Sequence, residues 1–172
     1  MYINYKLLTP ADITDLKQIS VETFTAAFAS QNTPDNMSNY LDQAFNEDRL
    51  MEELNNPNSS FYFAKDQAKT IGYMKVNVDH AQTDLIGLGG MELERIYVMP
   101  SHQGKGVGRH MLDQVLSLAR NNQKLFVWLG VWDQNLSAIG FYNKYGFNTI
   151  GSHEFMLGSE LQTDYIMRVD LV

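Results

Sequence analysis

The stretch Arg95-Ile96-Tyr97-Val98-Met99-Pro100-Ser101-His102-Gln103-Gly104-Lys105-Gly106-Val107-Gly108-Arg109 decides the fold. A strand over 91–99 ends at a proline, and a glycine-rich turn opens an amphipathic helix over 106–121, its stripe formed by Val107, Met111, Leu112, Val115, Leu118 and Ala119. Glycine lets backbone N–H groups approach a ligand with no Cβ between them. A helix start offers unpaired N–H groups and the positive end of its dipole, so the turn suits a phosphate. Lys105 and Arg109 add cations there. Two common phosphate loops are excluded. Gly104-Lys105 is followed by Gly106 and not by Ser or Thr, against the Walker pattern, and the spacing is G-x-G-x-G and not G-x-G-x-x-G.

Downstream, residues 125–131 form an apolar run suited to a strand inside a sheet. Asn135 then caps a helix that runs to Tyr145, and Gly146 ends it in a left-handed conformation. Strands near 147–157 and 164–169 follow. Upstream, a strand over 2–8 precedes a helix entered at Pro10 or Asp12, with Ile13, Leu16, Ile19, Val21 and Phe24 at helical spacing. Helical stretches from Pro34 and over 47–54 lead to a strand over 61–65 and an alternating, half-buried strand over 71–78. Residues 81–90 read as a loop. Strand–helix alternation of this kind predicts an α/β or α+β sandwich with mixed pairing, in one domain over 1–172.

Composition narrows the function. The 172 residues contain no cysteine, which removes disulfides, thiolate metal sites and a cysteine nucleophile together. Thirteen basic against twenty acidic side chains give a net charge of −7, which opposes nucleic-acid binding and favours a cationic partner. No basic, apolar leader opens the sequence and no apolar run approaches the ~18 residues of a membrane helix, so a cytoplasmic protein without a membrane partner is expected. His80, His102, His110 and His153 show no paired ligand spacing, and no metal is expected.

The glycine turn resembles the acetyl-CoA loop of GNAT N-acetyltransferases, Q/R-x-x-G-x-G/A, through Gln103, Gly106 and Gly108, with Gly104, Lys105 and Val107 between them. The segment 135–147 resembles the same family's N-x-x-A-x-x-F-Y-x-x-x-G-F through Asn135, Ala138, Phe141, Tyr142, Gly146 and Phe147. The resemblance implies a mixed, mostly antiparallel sheet of about seven strands with about four flanking helices and a V-shaped splay between the fourth and fifth strands. It implies acetyl-CoA as co-substrate, held by Ile96, Tyr97 and Val98, by the turn Gln103, Gly104, Lys105, Gly106, Val107, Gly108 and Arg109, and by Asn135, Ala138, Tyr142 and Lys144. Tyr142 would donate a proton to the departing thiolate. Glu92, or failing it Glu94, would serve as base for the acceptor amine; the two alternate on one face of their strand.

Further segments, 20–24, 41–45, 72–77, 128–132 and 162–164, look like the bacterial PaiA group of polyamine acetyltransferases. This resemblance implies spermidine or spermine as acceptor, with Glu22, Glu92, Glu94 and Asp133 as carboxylates for its cations, and a possible homodimer. Acetylation of a peptide or another small amine stays open, as does a regulatory module that binds acetyl-CoA without turnover. A DNA-binding regulator is opposed by the acidic balance.

Overall fold

Short capping contacts set where the helices begin. Thr33, Asn46 and Asn135 each accept a hydrogen bond from the backbone N–H three residues on, at 3.2, 2.9 and 3.1 Å, which satisfies one of the donors a helix start leaves free. The computed structural model describes residues 2–157 and 159–171. Along the chain lie β1 (Ile3–Leu7), α1 (Ile13–Phe28), α2 (Pro34–Ala44), α3 (Glu47–Asn55), β2 (Ser59–Asp66), β3 (Lys69–Val78), β4 (Gly90–Val98), α4 (Val107–Asn121), β5 (Phe126–Trp132), α5 (Leu136–Lys144), β6 (Asn148–Leu157) and β7 (Glu160–Asp170). The α-helices among the described residues number five, against the about four that the resemblance implies; α2 and α3 are separate, as the sequence reads them, with Asn46 capping α3.

The strands form one seven-stranded sheet in the order β1-β2-β3-β4-β5-β7-β6. All neighbours are antiparallel except β4 and β5, which run parallel. Helices cover both faces. Met111, Leu112 and Val115 of α4 and Tyr142 of α5 share a core with Met74, Val76, Leu93, Val127 and Leu129 on one face. Leu16, Ile19 and Phe24 of α1, Met37 and Ala44 of α2 and Leu50 of α3 share another with Phe61, Phe63 and Tyr73 on the opposite face. The alternation read in β3 as half-burial is corrected: Tyr73, Lys75 and Asn77 are buried as fully as Met74 and Val76, because α1 and α3 cover the side that carries them. Leu125, by contrast, is exposed, and β5 starts one residue later than expected.

Two irregularities in β4 open one of its edges and turn its charged side chains to a single side. A bulge at Glu94 lets Lys75 pair with Arg95 while Val76 pairs with Leu93. The apolar phase therefore slips from Met91 and Leu93 to Ile96 and Val98. Glu92, Glu94 and Arg95 all come to lie on the side facing α1–α3, where they meet Asn77, Lys75 and Glu53. The second irregularity is a parting of strands. β4 pairs with β5 at Gly90, Met91 and Glu92 only, while β5 continues against β7 up to Trp132. From Leu93 to Val98 one edge of β4 has no strand beside it, which is the V-shaped splay expected between the fourth and fifth strands.

Candidate active site

The unpaired edge of β4 leads directly to the glycine turn. Gln103 Nε2 donates to the Val98 carbonyl at 3.1 Å and ties the turn to the strand's end. Gly104 and Gly106 have φ of 72° and 80°, left-handed values that other L-residues adopt only with strain, and a Cβ at either would meet nothing within 4 Å. Gly106 caps α4 with no side chain taking its first N–H groups, so the Val107, Gly108 and Arg109 amides remain free for an anion. Lys105 turns its ammonium back onto the Ser101 carbonyl at 2.8 Å, and His102 Nδ1 meets the Ser101 hydroxyl at 2.8 Å. An open, left-handed turn ahead of an uncapped helix fits a phosphate-bearing ligand, and the free β4 edge offers backbone donors and acceptors to an extended amide arm beside it.

On the other wall of the splay, Asn135 caps α5 and Gly146 follows it with φ of 82°. Ala138 is half-buried and Lys144 exposed. Tyr142 is buried, with its ring packed against Phe141 and Phe147 at centroid distances of 5.3 and 5.6 Å. Burial pushes its phenol far above the ordinary range, so the hydroxyl stays protonated at neutral pH. Tyr142 also belongs to the core cluster against which Ile96 and Val98 of β4 pack.

The two glutamates of β4 differ sharply. Glu94 bonds to Lys75 at 2.5 Å and to Arg95 at 3.1 Å, and Arg95 in turn makes a bidentate pair with Glu53 of α3 at 2.9 and 3.0 Å. Burial alone would raise the Glu94 carboxyl, but Arg95 and Lys75 outweigh it and hold it below the usual range. The guanidinium of Arg95 also lies over Phe45 and Phe61 at 5.3 and 5.9 Å. Glu92 is only 2% exposed and has no cation. It accepts from Asn77 Nδ2 at 3.0 Å and from the backbone N–H and hydroxyl of Thr83 at 2.8 and 2.5 Å. Its carboxyl is raised, chiefly by burial, with the Thr83 and Asn77 bonds working against the rise. Glu92 is also the last β4 residue paired with β5, so it marks the point where the strands separate.

Comparison with known proteins fits this geometry. Residues 14–147 match the Acetyltransferase (GNAT) family. The chain belongs to that family. It is 37% identical to an uncharacterized N-acetyltransferase of Lactobacillus delbrueckii subsp. lactis, over 94% of this chain and 93% of the relative. An uncharacterized N-acetyltransferase of Mycobacterium tuberculosis is 30% identical over 96% of this chain and all of its own. Among solved structures, the PaiA N-acetyltransferase of Thermoplasma acidophilum in complex with coenzyme A superposes with a TM-score of 0.78 at 20% identity, covering 99% of both chains. The ribosomal-protein-S18-alanine N-acetyltransferase of Escherichia coli gives 0.73 at 17% identity, covering 99% of this chain and 94% of its own. These likenesses establish the GNAT fold and an acyltransferase; enzymes with different acceptors share it, so the fold does not select the amine.

Several contacts that the sequence did not single out join α1 and α2 to the sheet and tie the β3–β4 connection to β6. Phe24 stacks on Tyr40 at 4.5 Å and approaches Tyr97 at 6.3 Å, and Phe28 reaches Trp132 at the end of β5 at 6.5 Å. Beyond Gly130, whose Cβ would lie 3.5 Å from Asp164 Oδ2, His153 Nδ1 pairs with Asp84 at 2.6 Å. Asp164 is raised first by burial and then by Asp133. Of the four carboxylates expected to serve a polyamine, Glu92 and Glu94 meet at Asn77. Asp133 lies with Asp164 past the end of β5, and Glu22 is exposed on α1 beside Met99. Asp84, Thr83 and His153 carried no local signal, since each acts through a residue distant in sequence.

Proposed function

We propose that the protein transfers the acetyl group of acetyl-CoA to a primary amine by direct attack in a ternary complex, and that the amine is a polyamine such as spermidine or spermine. The observation that carries the transfer is the continuous free edge of β4, which runs from buried Glu92 to the open turn at Gly104 and Gly106. When bound, acetyl-CoA supplies an activated thioester. The turn amides and those of α4 neutralise its pyrophosphate, with Lys105 and Arg109 near, and the Ile96–Val98 backbone holds its arm. Asn135, Ala138 and Lys144 line the opposite wall. Glu92 takes the acceptor's proton, for which a carboxyl raised by burial is better suited than an ion-paired one. Tyr142, kept protonated by burial, returns a proton to the sulfur as the C–S bond breaks. Glu94, neutralised by Lys75 and Arg95, is assigned to holding α3 on the sheet.

The acceptor assignment is supported by the net charge of −7, by the carboxylates Asp84 and Asp164 that His153 joins, with Asp133 near Asp164, and by the segments that resemble the PaiA group. Purified protein with acetyl-CoA should release CoA with spermidine and spermine in preference to lysine and a histone-like peptide. Release with the peptide alone would move the acceptor to a protein and leave the transferase intact.

A further inference from the structure

Glu92 poses a problem that its role as base does not solve. The carboxylate is 2% exposed and both oxygens are occupied, yet it must take a proton from a molecule that arrives from solvent. Among the described residues one hydroxyl bonds to Glu92 directly, that of Thr83; the Ser59 hydroxyl reaches only Asn77 Oδ1. Thr83 lies in the connection between β3 and β4 and is itself exposed, while its Oγ1 donates to Glu92 Oε1 at 2.5 Å. Its backbone N–H donates to the other oxygen at 2.8 Å. The other side-chain contact, Asn77 Nδ2, is an amide bonded to Glu92 and Glu94 alike and leads inward to the Lys75–Arg95 cations. An amide cannot relay a proton at neutral pH, whereas a hydroxyl both donates and accepts.

Thr83 is also held too firmly for a loop residue placed by accident. Gln82 Oε1 accepts from Trp128 Nε1 of β5 at 2.7 Å, and Asp84 pairs with His153 of β6 at 2.6 Å. Three successive side chains, those of Gln82, Thr83 and Asp84, are thus fastened to β5, β4 and β6 across the face where the strands separate.

We propose that Thr83 is the proton gate of Glu92: its hydroxyl relays the acceptor's proton to the buried carboxylate, and its N–H holds that carboxylate in the receiving orientation. The proposal rests on the reading of Glu92 as base. In the step, an N–H bond of the acceptor ammonium breaks and its proton goes to Thr83 Oγ1. The hydroxyl's own proton passes to Glu92 Oε1. The nitrogen keeps the electron pair, Glu92 becomes neutral, and threonine is regenerated unchanged.

The test is Thr83→Val, which keeps the shape and the backbone N–H, compared with Thr83→Ser, which restores the hydroxyl. With spermidine, kcat should fall on the order of 100-fold in the valine variant, as for loss of a proton-transfer group, and return most of the way with serine. The hydroxyl favours the ionised carboxylate, so its loss should move the acidic limb of the pH profile upward by roughly one unit. The groups able to act on Glu92 besides Thr83 are Glu94 and Arg95 of β4, Lys75 of β3, Glu53 of α3, Asp84 of the connection and His153 of β6. All are untouched by these substitutions. A readout that needs no turnover separates this proposal from the transferase reading: carbon-13 NMR titration of the Glu92 carboxyl, assigned by its loss in Glu92→Gln. An unshifted titration in Thr83→Val overturns the proposal, as does a shifted titration with wild-type kcat. A shift in a protein that acetylates no amine keeps Thr83 in control of the Glu92 proton and rejects the transfer.

Discussion

The two faces of the sheet are built on different principles. The face under α4 and α5 is apolar throughout, and its specialised parts are backbone: a left-handed turn, an uncapped helix start and an unpaired strand edge. The face under α1–α3 buries charge. Glu53 and Glu94 are matched by Lys75 and Arg95, with Arg49 on the outer side of Glu53 at 3.3 Å, and Asn77 joins this set to Glu92, which has no cation partner among the described residues. In the proposed mechanism the first face holds acetyl-CoA through main-chain groups, and the second supplies the carboxylate that takes the proton. Lys75 and Arg95 pair with Glu94 and Glu53, so Glu92 is left with neutral donors, and burial raises its carboxyl. A base needs that condition, and an ion-paired glutamate would lack it.

The comparison can be broken at several places. Arg95→Met should cost about 3–5 kcal/mol, since it strips Glu53 of its bidentate partner and leaves buried Glu94 with Lys75 alone, while Glu53 keeps Lys75 and the more exposed Arg49. Chemical denaturation would read the loss, and the KM for acetyl-CoA in the surviving folded protein should stay near its original value. A matching rise in that KM would show that the faces are not separate. Gly106→Val acts in the opposite sense. Forcing a branched residue to a φ of 80° costs about 1–2 kcal/mol, and the side chain enters the space assigned to the pyrophosphate. The KM for acetyl-CoA should rise about tenfold, which corresponds to ~1.4 kcal/mol, with kcat little changed. Asn135→Ala is the mildest. Losing the cap on Ala138 N–H should lower stability by about 1 kcal/mol, read as a small drop in melting temperature. A larger loss of acetyl-CoA affinity than of stability would give the Asn135 amide a direct part in binding.

The same division explains what the sequence could tell. The ligand face was legible because its features are local. Left-handed backbone at Gly104 and Gly106 calls for glycine, the cap at Asn135 calls for a short polar side chain, and Pro100 stops β4 where the turn must begin. The charged face was not, because its contacts join residues far apart in sequence: Arg95 meets Glu53 42 positions away, and His153 meets Asp84 69 positions away. The bulge at Glu94 had no signature either. Alternation alone placed Glu92 and Glu94 on a common face, as the structure does, but could not show that one would be ion-paired and the other left without a cation. Thr83 sat in a stretch that read as an ordinary loop.

The most direct test of the account is CoA release from acetyl-CoA with spermidine by wild-type protein and by Tyr142→Phe, with acetyl-CoA binding to both measured by calorimetry. The substitution removes one hydroxyl from a ring already packed against Phe141 and Phe147 and leaves the turn untouched. The account predicts that kcat falls on the order of 100-fold or more while binding stays within a few-fold of wild type. A variant that binds acetyl-CoA and releases CoA at the wild-type rate would contradict the role given to Tyr142 and the mechanism built on it.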